Sequence, residues 1–84
     1  MSGDPIKAFG LVIREMRKAR GLSQEALCNE AGLDRAFLSL LESGRKQPSL
    51  TTIFRLAAVL QMDASEMLRL VEARLTPTTK VETS

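Results

Sequence analysis

The chain has 84 residues, 44% of them apolar and 26% charged, with a net charge of +2. That composition fits one small soluble domain near the lower size limit for folding alone, so association with a second copy is expected to help, and it excludes disordered or fibrous classes. With no histidine and a single cysteine, the chain lacks the commonest general base, the commonest metal ligand and any internal disulfide, so no enzyme, metal or cofactor is expected.

Taken in chain order, Asp4-Pro5 opens a first helix: a carboxylate caps free backbone N–H groups, and proline fits the first helical position. Ile6, Phe9, Ile13 and Met16 recur at helical spacing until Gly21, a C-terminal stop. Nothing in MSGDPIKAFG resembles a cationic, apolar secretion signal, and no run reaches the roughly 18 apolar residues of a membrane span. A cytoplasmic protein with no membrane partner is expected. Ser23 caps a short second helix, Gln24 to about Ala31, closed by Gly32. Asp34 caps a third, Arg35 to Ser43, whose Phe37, Leu38, Leu40 and Leu41 supply apolar surface before Gly44. Pro48-Ser49 opens a fourth, with Leu50, Ile53, Leu56, Ala57 and Leu60 as its inner stripe, and Asp63 caps a fifth that runs to about Leu75. The class is all-α: residues 1–75 form the domain, and TPTTKVETS, residues 76–84, forms a disordered tail.

Helices two and three are joined only by Gly32-Leu33-Asp34, which forces them to cross steeply. Cys28 is small where they meet, Gly32 permits positive φ, and Leu38 plugs the angle. Small at 28, glycine four residues on and a branched apolar residue six after that is the spacing of a DNA-binding helix-turn-helix. The stretch IREMRKARGLSQEALCNEAGLDRAFLSLLESGRKQPSLTTIFRLAAVL resembles the Cro and phage-repressor class, often labelled XRE, and is similar to the small controllers of restriction–modification operons. The resemblance covers roughly residues 7 to 72. It implies a compact five-helix, lambda-repressor-like bundle whose third helix enters the DNA major groove, whose second lies across the backbone, and which reads a near-palindrome as a homodimer.

The residues agree. From Arg14 to Arg55 eight basic side chains face five acidic ones, and the balance reverses from residue 56 onward; such a front half suits an anion, or is simply a set of solvated helix faces. A helix entering a groove presents its N-terminal residues to base edges, and Arg35 stands there, able to donate two parallel hydrogen bonds to guanine O6 and N7. The bland alternative is a solvated charge paired with Asp34. Ala36 is read as touching a thymine methyl or as a plain helix former, and Ser39, at i+4 from Arg35, as a base contact or a solvent-facing serine. Leu40 departs from the polar residue that some phage repressors carry at the matching position, which implies a shorter reading face. Backbone contacts are assigned to Ser23 and Gln24, at the positive end of the second helix, and to Ser43, Arg45 and Lys46 behind the third. The resemblance supports Gln24 and adds Phe37, which otherwise belongs to the core.

The resemblance also implies that Arg17 and Glu42 form a structural ion pair. Phe54, Val59, Met67 and Leu70 widen the apolar faces of helices four and five beyond one core and are read as a dimer seam. Cys28 is a packing residue and no small-molecule ligand is evident. The expected function is a DNA-binding transcriptional regulator acting as a dimer, possibly on its own promoter, with an antitoxin-type interaction module as the alternative.

Overall fold

The computed structural model describes residues 3–75, and the expected tail of residues 76–84 lies outside them. Five helices follow one another: α1 (Pro5–Ala19), α2 (Gln24–Ala31), α3 (Arg35–Glu42), α4 (Leu50–Val59) and α5 (Ala64–Leu75), with no strand among the described residues. The starts follow local chemistry. Asp4 accepts from the Ile6 N–H, Ser23 from Ala26, Asp34 from Phe37 and Ser49 from Thr52, each satisfying a backbone donor that the first turn leaves free. Three helices stop one or two residues earlier than the stop residues suggest: Arg20, Ser43 and Leu60 sit at the C-caps of α1, α3 and α4.

Every helix sends at least one fully buried side chain to a single core: Ile13 from α1, Leu27 from α2, Leu38 and Leu41 from α3, Leu56 from α4 and Met67 from α5. Truncating any such leucine to alanine costs about 2–5 kcal/mol, because a close-packed interior relaxes only partly into the gap. α1 packs against both α3 and α5, and α2 against α3 and α4, so α3 is held from behind by two helices.

The α1–α3 contact is exceptionally close. Gly10 lies in the middle of α1, where glycine weakens a helix by roughly 0.5–1 kcal/mol relative to alanine. A side chain there would collide with the Leu41 carbonyl oxygen, and its Cβ would lie 2.7 Å from that of Glu42. At the end of α3, Gly44 adopts φ 77°, and a Cβ on it would come within 3.0 Å of the Lys7 Cα.

Two sequence expectations, for Met67 and Leu50, are corrected by this packing. Met67, expected in a dimer seam, is fully buried in the bundle's own core, because it shares the inner stripe of α5 with Val71 one turn on. Val59 is half-buried and packs against the same core. Leu50, expected inside, is 67% exposed: the inner stripe of α4 runs through Thr52, Leu56 and Leu60, leaving Leu50 on its flank. Phe54 and Leu70 stand exposed at 59% and 37%, and so do Leu68 and Leu11. Leu68 and Leu70, two residues apart, lie about 200° from each other around α5, so they face opposite sides.

Candidate nucleic-acid interface

The interface is built on the α2–α3 unit. α2 ends at Gly32 in the left-handed conformation, φ 69° and ψ 38°, and its N–H returns to the Cys28 carbonyl. Leu33 N–H donates to the same carbonyl at 3.0 Å, so the turn closes within three residues. Cys28 is buried beneath it, and burial followed by the nearby Asp34 carboxylate pushes its thiol pKa up. A thiol held protonated this way is a packing group and a poor nucleophile. Among the described residues no group of three or more His, Cys, Asp or Glu side chains could hold a metal ion.

α3 divides cleanly by face. Leu38, Leu41 and Glu42 are buried, while Arg35, Ala36 and Ser39 are exposed along the opposite side. The Arg35 side chain has no hydrogen-bond or ion-pair partner among the described residues; the Asp34 carboxylate instead accepts from the Phe37 N–H. The guanidinium at the leading edge therefore projects into solvent. Phe37 is half-buried and packs against the core, and Leu40 is 37% exposed.

Behind the exposed edge of α3 lies a buried network. The Arg17 Nε donates to Glu42 Oε2 at 2.7 Å, and its Nη2 donates to Oε1 at 3.0 Å, while Nη1 reaches the Leu22 carbonyl at 2.8 Å. Glu42, chiefly by these hydrogen bonds, raises the pKa of Arg17. Gln24, at the first turn of α2, completes the carboxylate's shell by donating its Nε2 to Glu42 Oε1 at 3.0 Å. This pins the Gln24 amide and leaves its second N–H available. The paired charges thus tie α1 to α3 and fix the first residue of α2 relative to both.

The remaining backbone-contact candidates sit on accessible turns. The Ser23 hydroxyl caps α2, the Ser43 hydroxyl donates to the Leu40 carbonyl at 3.2 Å, and the side chains of Arg45 and Lys46 are exposed beyond Gly44 without hydrogen-bond or ion-pair partners among the described residues. Sequence reading passed over Arg14, which lines a polar groove with Arg17, Gln24, Ser39, Glu42 and Ser43. Its signal was available: Arg14 stands one helical turn before Arg17 and therefore on the same side of α1. Gly10 was also missed, since a glycine inside a helical pattern does not name the backbone it lies against.

Comparison with known proteins gives a consistent result. A family model described as helix-turn-helix matches residues 13–67. The chain is 32% identical over 69 residues to the ImmF control region 10 kDa protein of Bacillus phage phi105, covering 82% of this chain and 76% of that one. It resembles the crystal structure of the restriction-modification controller protein C.AhdI from Aeromonas hydrophila, with a TM-score of 0.72 and 40% identity over 74% of this chain and 94% of that one. A structure of SinR, the master regulator for biofilm formation, in complex with DNA matches with a TM-score of 0.68 and 30% identity over 71% of this chain and 97% of that one; SinR comes from Bacillus subtilis.

Proposed function

The chain belongs to the XRE-type helix-turn-helix family, and from that premise we propose that it is a sequence-specific transcriptional regulator that binds double-stranded DNA as a homodimer on a near-palindromic operator. The carrying observation is Arg35, exposed and unpartnered at the leading edge of a helix whose back is locked into the bundle. In this reading α3 enters the major groove and Arg35 donates to guanine O6 and N7, which is worth about 1–3 kcal/mol of discrimination. Ala36 and Ser39 face neighbouring bases, and Phe37 packs beside the sugar–phosphate backbone. The first turn of α2, with Ser23 and the free Gln24 N–H, rests on one phosphate run, and Ser43, Arg45 and Lys46 rest on another. These set orientation and affinity without reading sequence.

The second copy docks on α4, where Phe54 and Leu50 stand exposed one turn apart, and on Leu70 of α5. Two reading helices are then placed about one turn of DNA, roughly 34 Å, apart. Occupancy of the operator blocks or recruits polymerase sterically, and the regulator acts on its own promoter. The relatives support this reading: one is a phage control-region protein, one a restriction-modification controller, and one was solved on DNA. The test is footprinting on the region upstream of the protein's own gene. The native chain protects a symmetric site, while Arg35→Ala loses protection with an unchanged melting temperature. Equal protection by both proteins would overturn the assignment.

A further inference from the structure

The groove between α1, α2 and α3 is lined by Arg14, Arg17, Gln24, Ser39, Glu42 and Ser43. Its floor is electrically closed, because the Arg17 guanidinium and the Glu42 carboxylate meet bidentately and Gln24 fills a further position on the carboxylate. Its rim carries two hydroxyls and one amide. The only uncompensated charge among the lining side chains is Arg14. Its guanidinium is exposed and has no hydrogen-bond or ion-pair partner among the described residues. Its neighbours at i±3 and i±4 along α1 are Gly10, Leu11, Arg17 and Lys18, none of them acidic. The adjacent Glu15 is engaged with Arg74 of α5. A like-charged pair at i,i+4, such as Arg14 and Lys18, costs a helix a few tenths of a kcal/mol, roughly 0.2–0.5, so the arrangement opposes the fold's own stability and suits an external anion.

Ser39, on the reading helix, lines the same groove, so an anion at its mouth lies beside the reading edge. We propose that Arg14 binds a DNA backbone phosphate seated at the mouth of this groove, with the free Gln24 N–H and the Ser39 hydroxyl as further donors. The inference rests on the DNA-binding function and adds α1 as a third helix touching the duplex. Because α1 is fixed to α3 by the Gly10 contact and the buried ion pair, a phosphate held by Arg14 sets how far α3 can slide along the groove.

Fluorescence anisotropy across a KCl titration tests it, using a duplex that the native full chain selects from a random pool and an unselected duplex of equal length. Arg14→Gln weakens binding to both by about tenfold, the value of one charge-assisted hydrogen bond. It also flattens the log K against log [KCl] slope by about 0.9, as expected for one lost phosphate contact. The preference for the selected duplex and the melting temperature stay at native values, and Arg14→Lys restores the slope. A native slope with affinity within twofold of native in Arg14→Gln overturns the inference, as does a fall in melting temperature that accounts for the lost binding. Arg35→Ala separates the two levels. If it loses selectivity while Arg14→Gln is silent, only the Arg14 contact fails; if the native chain selects no duplex, the DNA-binding function fails and the contact with it.

Discussion

The α1–α3 seam and the outer face of α4 reverse the usual placement of side chains in opposite senses. At the seam two full charges, Arg17 and Glu42, are buried against each other, and two glycines allow backbone to lie on backbone. On α4 two of the largest apolar side chains, Leu50 and Phe54, stand in water. The seam is closed within one chain and has no room for change, whereas the α4 face leaves large apolar side chains uncovered. Under the proposed function, a rigid mount behind α3 and an exposed apolar face beside it would meet the two demands on a dimeric DNA reader: fixed geometry toward the bases, and free surface toward a second copy.

The largest expected effect comes from breaking the seam's charges. Glu42→Ala strands the Arg17 guanidinium in a buried site and releases Gln24, costing about 3–5 kcal/mol. Chemical denaturation reads this directly, and an unchanged midpoint would mean that the seam does not depend on its buried charges. Next is Gly10→Ala, where overpacking against two backbone carbonyls of about 3 kcal/mol is offset by about 1 kcal/mol of helix propensity, a net loss of about 2 kcal/mol in a urea titration. A gain in stability would mean that α1 and α3 separate freely. The smallest effect on the fold is expected from Phe54→Ser, which leaves monomer stability within about 0.5 kcal/mol of native. In sedimentation it weakens self-association by about thirtyfold, near 2 kcal/mol for an aromatic anchor. Loss of monomer stability instead would place Phe54 in the core and reduce the contrast to one of degree.

Local chemistry was legible wherever it is short-range. Asp4, Ser23, Asp34 and Ser49 announce helix starts because a capping oxygen and its N–H lie two or three residues apart. Gly32 announces the α2–α3 turn because only the sign of φ is at issue. The face assignments of α4 and α5 were less legible. Leu50 and Met67 look equally apolar, and periodicity places a residue on a helix face without saying which face meets a neighbour. Arg14 illustrates the same limit: its position on α1 is readable, but the groove it borders is made by three helices.

The order of helices, the N-caps of α1 to α4, the helix-turn-helix spacing and the Arg35 lip were determined by the sequence alone, because each depends on residues within a few positions of one another. Tertiary structure decided which charges are buried together, which leucines face water, and why Gly10 must be glycine. Those outcomes depend on the distance between segments 18 to 37 residues apart in the chain, from Gln24 with Glu42 to Lys7 with Gly44. Only the packed bundle sets that distance.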